Sequence, residues 1–178
     1  MKTPGGTGLG RARAQAQAKK ASEILQLVAF SVGGGEYALD IMRIKEIINP
    51  VAVTPMPKAP AFIEGVIELR GAILPVVDLR KRFDLPPTAA TRATKFLIAS
   101  IDVGGKRMIV GLVVDAVTEP LRVPIDDVRA APALAQGEQA YFSGVVHHRE
   151  RIFMVLDVDA ILSTKEKITL AGLDGGGA

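Results

Sequence analysis

Few residues in this 178-residue chain are of a type and spacing that could do covalent chemistry. The only two histidines, His147 and His148, are adjacent. If they lie in a strand, as the neighbouring Val145 and Val146 suggest, their side chains point to opposite faces and cannot grip one metal together. With no cysteine, thiolate nucleophiles, disulfides and cysteine-based metal sites are excluded, and a reducing, cytoplasmic compartment fits. Gly33-Gly34-Gly35 leads into Glu36 and Tyr37, and Gly104-Gly105-Lys106 into Arg107. Neither has the lysine-plus-hydroxyl sequel that a phosphate-binding loop needs, so both read as turns. Ser143 in YFSGVV has a strand-like context rather than a nucleophile elbow. The carboxylates are scattered, with no pair placed as acid and base on one element. The expectation is a non-enzyme with no cofactor and no metal.

The elements that carry these residues are short. Apolar runs rich in Val and Ile, bounded by Gly, Pro or charges, recur at Leu25 to Val32, Tyr37 to Ile41, Val66 to Leu69, Ile73 to Leu79, Phe96 to Val103, Met108 to Val114, Phe142 to His147 and Ile152 to Val158. That is an all-β signature with at least eight strands. Gly104-Gly105 marks one hairpin, and VVHHRERIFMVL a second with Arg149 and Glu150 at its tip. Helical pieces are expected at Met42 to Ile48, from Ile44, Ile47 and Ile48 at helical spacing, with single turns at Leu79 to Phe83 and Asp159 to Leu162. The prolines of TPMPKAP, Thr54 to Pro60, keep that stretch out of a central strand.

Charge divides the chain. All 19 acids lie from Glu23 onward, whereas Lys2, Arg11, Arg13, Lys19 and Lys20 stand before it, so the overall +3 becomes a net −2 from residue 23 on. Residues 1–22, Gly-rich and then lacking an apolar face, read as a flexible basic tail. Residues 23–165 read as the folded domain, and 166–178 as a flexible C-terminal tail. The longest apolar runs fall far short of the roughly 18 to 20 residues that span a bilayer, and the N-terminus has no secretory pattern. No direct membrane insertion is expected. The basic balance raises a nucleic-acid-binding small barrel as the rival reading. With six Phe, two Tyr and no Trp, several inside apolar runs, few aromatics are left for base stacking.

Four segments carry a resemblance: GGGEYALDIMRIKEII, PKAPAFIEGVIELRGAILPVVDLRKRF, GGKRMIVGLVVDAV and YFSGVVHHRERIFMVLDVDAIL. In order and separation they resemble the CheW family of chemotaxis coupling proteins across the whole folded unit. The resemblance implies two intertwined five-stranded SH3-like β-barrels with short helical turns. It also implies a non-catalytic adaptor between the cytoplasmic tips of chemoreceptors and the regulatory domain of the histidine kinase CheA, in the cytoplasm at receptor arrays on the inner membrane.

Carried over by position, the resemblance marks Ile44, Glu46, Gly65, Arg70, Phe96 and Val117 as partner-binding residues. Glu46 and Arg70 are expected to pair, fixing the expected helix against the turn before Gly71. Alternatives stay open: Arg70 as an exposed turn residue, Ile44 as core, Gly65 as turn geometry, and Phe96 and Val117 as buried strand residues. Glu68 departs from the asparagine common in the family, which leaves open a related receptor–kinase array with another output.

Overall fold

The computed structural model describes residues 23–131, 141–163, 165–167 and 169–170. The chain forms strands β1 (Ile24–Val32), β2 (Gly35–Asp40), β3 (Ile44–Ile48), β4 (Ile63–Leu69), β5 (Ala72–Asp78), β6 (Lys95–Val103), β7 (Lys106–Val114), β8 (Ala116–Pro124), β9 (Val128–Arg129), β10 (Phe142–His148) and β11 (Arg151–Leu156). One short helix, α1 (Leu79–Arg82), and 3-10 turns at Ile41–Arg43, Ile125–Asp127 and Val158–Ala160 connect them.

The strands make two sheets, ordered β8-β1-β2-β11-β10-β9 and β3-β6-β7-β5-β4. We call them barrel I and barrel II. The chain enters barrel I for two strands, builds all of barrel II, and returns to finish barrel I, which is the intertwining the family resemblance implies. The sixth strand of barrel I is the two-residue β9. Each barrel closes in the same manner. In barrel I the chain leaves one margin at β8 and lands on the other as β9, opposite Val145 and Val146 of β10. In barrel II it leaves β3, and Thr54 exchanges two 2.9 Å backbone hydrogen bonds with Val66 of β4.

The correspondence extends to sequence. Gly65-Val66-Ile67, Arg70, Ile73-Leu74 and Val76-Val77-Asp78-Leu79 recur at a constant offset as Gly144-Val145-Val146, Arg149, Ile152-Phe153 and Val155-Leu156-Asp157-Val158. Both copies form a hairpin with a bulge beside the first glycine, a second strand parallel to a neighbour, and an aspartate that accepts a hydrogen bond from the backbone two residues on. Both turns are left-handed, with Arg70 and Gly71 at φ 52° and 82° and Arg149 and Glu150 at 48° and 63°. Non-glycine residues in that region cost on the order of 1 kcal/mol each, offset by the twist match that two-residue hairpins require.

Three apolar clusters hold the fold. Leu27, Ala38, Leu121, Val146 and Phe153 fill barrel I. Ile67, Leu74, Val76, Phe96, Ile98 and Val113 fill barrel II. Between them lies the largest cluster, including Phe30, Leu39, Leu79, Leu97, Leu112, Leu156 and Ile161. Strand β6 is apolar on both sides because Phe96 and Ile98 face one cluster while Leu97, Ala99 and Ile101 face another, which explains its uninterrupted apolar run. Each fully buried side chain of this kind contributes about 1.5–3 kcal/mol relative to exposure. Buried Arg80 crosses the same seam, 3.6 Å from Asp78 and 3.5 Å from Asp115.

One expectation is corrected. Residues 42–48 are not a helix: a 3-10 turn ends at Arg43, and Ile44–Ile48 is strand β3, paired with β6. The β-branched isoleucines suit both periods, and the free margin of β6 decided between them. Residues 165–167 and 169–170 are helical, Glu166 pairs with Arg82 at 2.9 Å, and Leu170 is buried in the central cluster. Ser163 and Glu166 form a reciprocal capping box that starts this turn. The expected tail at 1–22 lies outside the described residues.

Candidate functional site

Strands β3 and β4 are the two margins of barrel II, and Ile44, Glu46, Gly65 and Arg70 gather there. The left-handed turn after β4 swings Arg70 back across the barrel mouth. Its Nε donates to Glu46 Oε2 at 3.0 Å and its Nη2 to Oε1 at 3.3 Å. The pair therefore exists, but it joins a hairpin to a strand rather than to a helix. Arg70 remains 77 % exposed, whereas Glu46 is 29 % exposed. The hydrogen bond and the negative charge of Glu46 raise the arginine pKa above its ordinary value.

Gly65 sits in the β4 bulge at φ 145°, where a Cβ would overlap the Thr54 carbonyl oxygen. Its role in the structure is to let Thr54 approach and close the barrel. Gly144 does the same in barrel I, where a Cβ would lie 2.8 Å from the Arg129 carbonyl oxygen.

Ile44 begins β3 and packs half-buried against the central cluster. It is flanked by exposed apolar side chains: Ile41 at 39 %, Met42 at 82 % and Ile47 at 42 %. The intervening Arg43 is pinned inward. Its Nε donates to the Ser100 carbonyl at 3.1 Å and its Nη1 to Asp159 Oδ2 at 3.0 Å, with a second guanidinium bond to Oδ1. Asp159 Oδ1 also accepts the Asp102 N–H at 2.8 Å, so the carboxylate ties the end of barrel I to β6. Burial pushes the Asp159 pKa up, but the Arg43 and Asp102 hydrogen bonds outweigh it and hold the group below the usual carboxylate value.

Phe96 and Val117 do not join this group. Phe96 is buried in the interior of barrel II, while Val117 lies on β8 of barrel I, half-buried against the central cluster. Val117 and Ile44 thus flank the same inter-barrel cluster, and Phe96 stands behind another.

Several surface features had no place in the sequence reading. Ile73, directly opposite Glu68, is 58 % exposed, and its counterpart Ile152, opposite His147, is 59 % exposed. Arg151 spans the mouth of barrel I, bonded to Glu36 and, at 2.8 Å, to Glu119 on the margin strand β8. It is the spatial analogue of Arg70 reaching Glu46. The internal repeat would have pointed to the two isoleucines, but not to Arg151, whose counterpart is Ala72.

Among the described residues no three His, Asp or Glu side chains group as a metal site. All eight aromatic rings are buried or half-buried, several stacked along the seam, as Tyr37 is with Phe30 and Phe142. None is presented for base stacking. A cavity of about 390 Å³ between Met56–Ile63 and the C-terminal helical residues touches none of the candidate residues.

A family model described as CheW-like domain matches residues 26–166. The chain is 34% identical over 152 residues to the chemotaxis protein CheW of Treponema pallidum (strain Nichols), covering 85% of this chain and 89% of that one. It is 35% identical over 143 residues to the chemotaxis protein CheW of Rhizobium meliloti (strain 1021), covering 80% and 90%. Its fold is similar to the crystal structure of scaffolding protein TtCheW from Thermoanaerobacter tengcongensis, with a TM-score of 0.73 and 29% identity over 81% of this chain and 97% of that chain.

Proposed function

The chain belongs to the CheW-like domain family as a non-catalytic chemotaxis adaptor, and from that premise we propose how its two sides divide the work. The mouth of barrel II, with Arg70, Glu46 and the exposed Ile73, docks the regulatory domain of a CheA-type histidine kinase. Gly65 contributes by keeping that barrel closed. The margin of the inter-barrel cluster, with Ile44 between exposed Ile41 and Ile47 and with Val117 on β8, receives the cytoplasmic tip of a chemoreceptor. Phe96 supports β3 from inside the barrel rather than by touching a partner.

The observation that carries the kinase-docking reading is the Arg70–Glu46 pair beside Ile73. A bidentate ion pair fixes the hairpin and leaves an apolar side chain next to it in water, the combination of anchor and charged rim that protein interfaces use. Among the described residues no helix is long and apolar enough to cross a membrane; an array position at the inner membrane is the one that receptor binding would give. The test is reconstitution with a CheA-type kinase and a receptor cytoplasmic fragment from the same organism. The adaptor should bring kinase autophosphorylation under receptor control, and Arg70→Ala should remove that control. Absence of any ternary complex would sink the reading.

A further inference from the structure

Glu68 is an exposed carboxylate on β4 with no hydrogen bond or ion pair among the described residues. Its neighbours on the same face are accounted for: Arg70 is taken by Glu46, and Glu64 is held by Lys81 at 2.5 Å. Glu68 is therefore an uncompensated negative charge on β4, directly across the strand pair from exposed Ile73. A partner that covers Ile73 also strips water from Glu68. Leaving that carboxylate desolvated and unpaired is costly, so the partner must bring a cation to it.

The chain itself displays what such a partner surface looks like. At the repeated hairpin of barrel I, Arg149 occupies the place of Arg70 and Ile152 that of Ile73. There the margin strand does offer a carboxylate, Glu119 opposite Ala29, where barrel II has Glu46 opposite Ile98, but Arg151 holds it at 2.8 Å. Arg149 is consequently left without an ion pair among the described residues, next to an exposed isoleucine. A barrel of this kind thus presents a free cation and an aliphatic anchor together, complementary to Glu68 and Ile73.

We propose that Glu68 is a specificity-determining residue: it selects kinase regulatory domains that present a cationic hairpin, an arginine or lysine beside an aliphatic side chain. This rests on the reading of barrel II as the kinase-docking face. The experiment is calorimetric titration of the full chain with the regulatory domain of the CheA-type kinase of the same organism, at low and high salt. Glu68→Gln should weaken binding about tenfold and flatten its salt dependence, and Glu68→Lys should weaken it on the order of a hundredfold. Glu68→Lys should be rescued by reversing the charge of one regulatory-domain cation. Ile73→Asp serves as the control for the face. If it abolishes binding while both Glu68 variants bind within about twofold of the parent, the specificity role is wrong and the docking face stands. If Ile73→Asp binds like the parent, the docking reading fails and the role of Glu68 fails with it.

Discussion

Arg70 and Glu46 lie on opposite margins of one sheet, and their two hydrogen bonds span a gap that no β3–β4 ladder crosses. The pair acts as a clasp. Because Arg70 is largely exposed, its main effect is to hold the hairpin's orientation rather than to stabilise the chain. Arg70→Ala and Glu46→Gln should each weaken kinase-domain binding about tenfold or more, with the thermal midpoint changed by only about 2 °C. The double variant should bind no worse than the poorer single variant. Full additivity in a titration would show that the two act separately.

Gly65→Ala tests the closure of barrel II. The added methyl meets the Thr54 carbonyl in a backbone conformation that L-residues rarely adopt, so a loss of about 2–4 kcal/mol is expected in urea unfolding. Gly144→Ala, against the Arg129 carbonyl, should lose about 1–3 kcal/mol. An unchanged midpoint for Gly65→Ala would mean that the Thr54–Val66 bridge does not hold the barrel.

The Arg43–Asp159 tie should appear in the acid limb of stability. The folded-state pKa of Asp159 is lowered, so its contribution is present above the unfolded carboxylate value and is lost as pH falls through the folded one. Arg43 is shifted upward, so its own contribution is present throughout that range. The parent should lose stability below about pH 4 more steeply than Asp159→Asn. Urea midpoints at pH 7 and pH 3 measure this, and parallel pH profiles would remove Asp159 as the source.

Leu170 tests the C-terminal limit of the domain. Leu170→Ala should cost about 2 kcal/mol if the side chain is the part of the central cluster that its burial indicates. Removing residues 166–178 should cost more, because Arg82 also loses Glu166 while still stacked on Phe62 at 3.9 Å. Equal unfolding of the parent and the truncated chain would keep the boundary at Lys165.

What was legible in the sequence was local. Gly104-Gly105 and Arg149-Glu150 turn where expected because hairpin turns are set by their own residues and flanking strands. Ile44, Ile47 and Ile48 misled because their spacing satisfies a helix, while the pairing that made them a strand comes from β6, distant in sequence. Glu46 and Arg70 were brought together by resemblance rather than by any local pattern. The exposure of Met42, Ile73 and Ile152 depends on how the sheets curl, and a run of apolar letters does not encode that. The repeat from Gly65 to Leu79 and from Gly144 to Val158 was visible in the letters, and it is the observation that gives Glu68 and Arg149 meaning.

The order in which the two barrels are threaded bears on synthesis. Barrel II uses only residues between Ile44 and Val114, so it can close while the rest of the chain is still on the ribosome. Barrel I cannot: β2 waits for β11, whose Met154 and Val155 pair with Tyr37 and Ala38. Until then the β1–β2 hairpin is an uncovered template for other strands. A chain interrupted before Leu156 therefore carries a finished barrel II beside an open, aggregation-prone sheet, and folding chaperones would meet barrel I first.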